Sequence, residues 1–133
     1  MSRQYTLGKK ERLKSRKLIG QLFNQGKSFS IFPYRVFYKY QPTLASIQAG
    51  FGVSSKHFKK AVDRNRIKRL TREAYRLQKK SWSEEKLKNN RSFALFFVYT
   101  GMDLPDFELV NKKMKLILEK LAELINENHS SDT

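Results

Sequence analysis

KKAVDRNRIKRLTREAYR, residues 59 to 76, is the stretch from which the rest of the chain is read. At about 100° per residue, Ile67, Leu70, Ala74 and, beyond the stretch, Leu77 fall on one arc, which predicts a helix from about Phe58 to Lys80 with one apolar face. Arg64, Lys68 and Arg72 fall together elsewhere, as do Asn65, Arg69, Arg72 and Arg76. The side away from the apolar arc is therefore a broad basic stripe. Helices that are merely solvated mix acids and bases at i,i+4 spacing, whereas only Asp63 and Glu73 offset eleven Lys and Arg between Lys56 and Lys80. Asp63 suits the positive end of the helix dipole, and Glu73 is expected to pair with Arg69. Arg predominates over Lys from 64 to 76, and its planar fork matches phosphate and base edges in pairs of hydrogen bonds.

Upstream of this helix, Ser15 is an N-cap for a short amphipathic helix carrying Leu18, Ile19, Leu22 and Phe23 and stopped by Gln25-Gly26. Ser28 to Tyr40 reads as strand, with Tyr34, Val36, Tyr38 and Tyr40 on one face and Arg35, Phe37 and Lys39 on the other. Pro33 marks a strand start or an edge bend. Ile47, Ala49, Phe51 and Val53 form one face of a second strand, and the other face carries Gly50 and Gly52, a bareness that fits either the approach of a partner's backbone or a bulge or crowded sheet crossing. Downstream, Phe93 to Tyr99 is apolar on both faces, as in a central strand, and a turn follows at Gly101 to Pro105. Phe107, Val110, Met114, Ile117, Leu118, Leu121 and Ile125 then space a last amphipathic helix that ends near Asn128 in a polar tail. The expected architecture is α+β: one domain over residues 1–133, an α/β sandwich with helices over a small sheet, flanked by a flexible basic tail at 1–10 and a polar one at 128–133.

The net charge is +16, from 28 Lys and Arg against 12 Asp and Glu, and it is unevenly spread. Residues 1 to 47 hold ten basic residues and one acidic, whereas 103 to 133 hold four basic and seven acidic. A field of one sign over part of a fold implies a polyanionic partner. With no Cys, disulfides and thiolate chemistry are excluded, and an intracellular, cytoplasmic home is expected. His57 and His129 are too far apart in sequence to suggest a zinc site. The longest apolar run, seven residues from Phe93, falls short of the roughly 20 needed to span a bilayer.

The run Arg64-Asn65-Arg66, followed by Lys68-Arg69 and Arg72, resembles the signature helix of the bacterial ribonuclease P protein family. Weaker similarity extends through Arg12-Leu13, Phe23 to Gly26, the strand before the helix and the final helix. The resemblance implies an α-β-β-β-α-β-α order with a left-handed crossover around the signature helix, against the usual rule. It also implies RNA contact by Lys59, Lys60, Arg64, Asn65, Arg66, Lys68, Arg69, Arg72 and Arg76. A separate cleft for the single-stranded 5′ leader of precursor tRNA would be formed by Ile19, Phe23, Arg35, Phe37, Tyr38 and Lys39, in which aromatics stack on bases while cations follow the backbone. Position 19 departs from the family, where an aromatic is common. Ser55-Lys56-His57 departs where paired lysines are usual, leaving Lys56 and His57 as candidates only.

A protein nuclease would need clustered carboxylates for Mg²⁺ or a His pair for acid–base work, and the sequence offers neither. No catalytic residue, cofactor or metal site is therefore expected in this chain. The resemblance assigns hydrolysis to ribonuclease P RNA and Mg²⁺ held with it, makes that RNA and precursor tRNA the partners, and requires no membrane or obligate protein partner. A ribosomal or other structured-RNA-binding protein would share the basic field without the aromatic cleft. A helix-turn-helix DNA regulator is disfavoured because no first helix with a short Gly turn precedes Ala61.

Overall fold

The structure, a computed structural model, describes residues 11–44, 46–88 and 92–131. The expected basic tail at 1–10 lies outside the described residues. The elements follow in the order α1 (Arg16–Gln25), β1 (Lys27–Ile31), β2 (Tyr34–Tyr40), β3 (Gln48–Val53), α2 (Ala61–Glu85), β4 (Phe93–Tyr99) and α3 (Phe107–Ser131). This is the α-β-β-β-α-β-α order that the family resemblance implied. The last helix runs on to Ser131 instead of stopping near Asn128.

Ser15 caps α1 by accepting the Leu18 N–H at 3.3 Å. The helix ends at Gly26, whose N–H bonds to the Leu22 carbonyl and where any Cβ would collide with that same oxygen. The strand-forming stretch Ser28 to Tyr40, with its expected strand start or bend at Pro33, is a hairpin. β1 and β2 pair antiparallel with Ser28 opposite Phe37 and Ile31 opposite Tyr34, and Phe32-Pro33 turns the chain between them. Proline, with no N–H to give to a ladder, sits where the ladder is interrupted.

The sheet order is β1-β2-β4-β3. β4 is central, antiparallel to β2 and parallel to β3, so α2 is the connection between a parallel pair. Register puts Val36, Phe97 and Phe51 in one row and Tyr38, Leu95 and Ala49 in the next. That face is closed by α2 and α3, and it holds the main core with Ile67, Tyr75, Met114, Ile117, Leu118 and Leu121. The opposite face carries Arg35, Phe37, Ala94, Phe96, Gly50 and Gly52, and only part of it is covered, by Leu18, Ile19 and Leu22 of α1 together with Leu13 just before that helix.

The buried line of α2 differs from the apolar arc of the sequence. Ile67 and Ala74 are fully buried, but Leu77 is 44% exposed, Leu70 is only half-buried, and Thr71, Tyr75, Trp82 and Ser83 lie inside. α2 wedges between β3 and α3, so its buried face is set by two neighbours and is turned towards Thr71 and Tyr75. Of the polar groups brought inside, the Tyr75 hydroxyl has no hydrogen-bond partner, whereas Thr71 Oγ1 donates to the Ile67 carbonyl at 2.9 Å and lies 2.7 Å from the Tyr34 hydroxyl. Trp82 Nε1 donates to the Leu118 carbonyl at 2.6 Å, which ties the helix to α3 beyond Lys80, where the sequence pattern fades. Burial raises the Tyr34 hydroxyl to about 12, against which the Thr71 hydrogen bond pulls it down. Among the described residues no helix is long and apolar enough to cross a membrane.

Candidate nucleic-acid interface

The candidate residues form two surfaces. One is the outer side of α2 with the turn before it; the other is the partly covered face of the sheet.

The three residues of the Arg64-Asn65-Arg66 run, 100° apart on a helix, point in three directions. Arg64 turns back towards the chain before the helix, and its Nη1 donates to the carbonyls of Phe58 at 2.8 Å and Lys59 at 2.7 Å. It thereby pins the segment that brings Lys59 and Lys60, both exposed, to the start of α2. Asn65 shares a side with Lys68, Arg69 and Arg72, which border one cleft with it. Arg66 is exposed on the flank next to Leu70 and Glu73.

Glu73 bonds Arg76, not the expected Arg69. A carboxylate N-terminal to its cation is the better orientation in a helix, and only Arg76 offers it. Arg76 therefore meets a partner with its charge already offset. Lys68, Arg69 and Arg72 have no acidic partner among the described residues, so the unbalanced field of α2 is concentrated in its first three turns. Lys56 and His57 are exposed in the turn before the helix.

On the sheet, Phe37 is met edge-on by Phe23 of α1, with centroids 4.8 Å apart, and Phe23 also meets Phe96 at 5.1 Å. Phe23 is 44% exposed. The Arg35 guanidinium lies 5.0 Å from the Phe37 ring centre and reaches Ser28 Oγ, while Lys39 Nζ lies near Gln41 Oε1 at 3.4 Å. Ile19 belongs to the small apolar cluster under α1. Tyr38 is not part of this surface: it is 5% exposed on the core face, 6.2 Å from Phe29, because strand alternation turns it away from Phe37.

Phe96 is the member that sequence reading missed. Its ring lies over the bare backbone of β3, so a Cβ at Gly50 would come within 2.6 Å of it and one at Gly52 within 2.9 Å. Of the two readings of these glycines the crowded sheet holds: they make room for the chain's own phenylalanine and not for a partner's backbone. The signal was present, since alternation along Phe93–Tyr99 separates Phe96 from Leu95 and Phe97. An all-apolar strand hides which of its faces is open. Rings at 4.8 to 5.1 Å flanked by Arg35 and Lys39 offer flat apolar surface beside positive charge, the combination that accepts unpaired bases. Among the described residues no group of three or more His, Asp or Glu is placed to hold a metal ion.

The family model described as Ribonuclease P matches residues 7–122. The ribonuclease P protein component of Porphyromonas gingivalis strain W83 is 36% identical over 120 residues, covering 89% of this chain and 88% of the relative. That of Chlorobium phaeobacteroides is 32% identical over 135 residues, covering 90% and 91%. Among solved structures, the fold is similar to the RNase P protein of Staphylococcus aureus, with a TM-score of 0.68 at 18% identity over 84% of this chain and 94% of that one. It is similar also to that of Thermotoga maritima, with a TM-score of 0.65 at 24% identity over 83% and 96%.

Proposed function

The chain belongs to the ribonuclease P protein family, and from that premise we propose that it works through two separate RNA surfaces. As the protein component of ribonuclease P it serves tRNA processing and partners ribonuclease P RNA. The finer division of labour is our reading. The α2 side, with Asn65, Lys68, Arg69 and Arg72 at its centre and Lys59, Lys60 and Arg66 around it, holds the RNA subunit by its phosphates. The open sheet face, with Phe23, Phe37, Phe96, Arg35 and Lys39, holds the single-stranded 5′ leader of precursor tRNA.

The observation that carries this reading is segregation. The unopposed cations of α2 border a cleft along the β3 edge, while the half-exposed rings around Phe37 lie beside α1 on the open face of the sheet, which supports two separate places for RNA. Hydrolysis of the phosphodiester bond belongs to the RNA subunit and the Mg²⁺ bound with it. This chain's residues bind and orient, and their positive charge reduces repulsion between the two RNAs.

The test is Phe37→Ala in the assembled enzyme. Precursor tRNA binding should weaken by about 1–3 kcal/mol, the worth of one base stack, while mature tRNA, which has no leader, binds as before. Equal losses for the two ligands, with the fold intact by circular dichroism, would refute the leader assignment.

A further inference from the structure

We infer that Arg12 and Lys14 form a second wall opposite α2, and that the cleft between them is a clamp for the phosphates of one unpaired RNA strand. The inference rests on the reading of α2 as an RNA surface and adds residues to it.

The segment before α1 does not trail away from the fold. Leu13 N–H bonds to the Ala49 carbonyl at 3.0 Å and Arg12 bridges Ala49 in parallel, so the segment runs as a strap along the free edge of β3. Glu11 is ion-paired with Lys79 of α2, and Leu13 is buried beneath α1. The strap is thus anchored on both sides of Arg12, and its position is fixed by the fold.

Between strap and helix lies a cleft of about 540 Å³, floored by Ala49, Gly50 and Phe51. Arg12 and Lys14 form one wall; Asn65, Lys68, Arg69 and Arg72 form the other. Five cations face into it with no carboxylate among the lining residues. Arg12 Nε is buried and has no hydrogen-bond partner, an arrangement that costs stability unless something outside the chain completes it. Lys14 is exposed and unpaired among the described residues.

The shape selects the ligand. Cations on two facing walls can grip a single phosphodiester backbone from both sides, whereas the two backbones of a duplex are held apart by stacked pairs, so that neither is offered to both walls. Arg supplies paired hydrogen bonds to phosphate oxygens, Lys a mobile point charge, and Asn65 a neutral donor.

The experiment uses the full-length protein with a fluorescent single-stranded RNA octamer and an RNA duplex of 12 base pairs as probes. Lys14→Ala lies at an exposed position and should keep the fold. It is expected to weaken octamer binding roughly fivefold to tenfold and to lower the log–log salt slope by about 0.7, with duplex binding unchanged. Arg12→Gln should do the same, with its fold checked by circular dichroism. If both variants bind the octamer within twofold of wild type while Arg69→Ala weakens it, the second wall is wrong and α2 stands. If Arg69→Ala is also without effect, the reading of α2 fails as well. In the assembled enzyme, a Lys14→Ala loss confined to precursor tRNA makes the gripped strand the leader, and a loss in RNA-subunit affinity makes it part of that subunit.

Discussion

α2 and α3 are each 25 residues long, start from the same end of the sheet and lie side by side on one face of it. Gln78 bonds Asn111, Trp82 bonds Leu118 and Lys86 bonds Asn126, so the two helices advance together. They nevertheless do different work. α2 carries eight Lys and Arg against four Asp and Glu, and α3 carries four of each sign. The buried line of α3 is apolar throughout, from Val110 through Met114, Ile117, Leu118 and Leu121 to Ile125, while that of α2 includes Thr71, Ser83 and the hydroxyl-bearing Tyr75. A helix bearing unbalanced charge and polar groups at its packed face gains less from burial, and its neighbour supplies the apolar surface that holds it in place. Stability is thus concentrated in α3 and ligand charge in α2.

The largest effect should come from cutting into the anchor. Leu121→Ala, at a fully buried site, should cost about 3 kcal/mol in urea unfolding yet leave RNA affinity unchanged where the protein remains folded. A cost below about 1 kcal/mol would show that α3 is not the anchor.

Next is the converse, Lys68, Arg69 and Arg72 together to Ala. At about 1 kcal/mol per phosphate contact the RNA subunit should bind roughly 100-fold more weakly, with a salt slope reduced by two to three units, while unfolding shifts little. Arg64 is left out of this set because its guanidinium holds the Phe58 and Lys59 carbonyls, so its removal would mix folding with binding. If the triple variant unfolds, charge and packing on α2 are not separable.

The smallest effect concerns the polar contact at the packed face of α2. Tyr34→Phe should cost about 1 kcal/mol, because Thr71 retains its bond to the Ile67 carbonyl. Its pH signature is sharper than its size. Burial lifts the Tyr34 hydroxyl to about 12, so the folded state keeps a proton that the unfolded chain releases near 10. That contribution is fully present below about pH 10 and is lost as pH rises through about 12. Unfolding measured across that window should decline more steeply for wild type than for Tyr34→Phe; identical slopes would place the titration elsewhere.

The periodicities were legible before any coordinates. Ser15 and Gly26 bound α1, alternation separates Phe37 from Tyr38, and the scarcity of acids from 56 to 80 marks α2 as a surface for anions. Such patterns fix which residues of one element share a side, because 3.6 and 2 residues per turn are local properties of the backbone. They do not fix what covers that side. Tyr38 faces the main core and not the cleft, Leu77 is left in solvent while Thr71 is buried, and Phe96 occupies the space above Gly50 and Gly52. Arg64 is turned to carbonyls six and five residues back, and the Arg12 strap lies against β3 some 37 positions away. Each of these depends on contacts between elements distant in the chain, whose register is set by the packing of the whole sheet and not by any window of sequence.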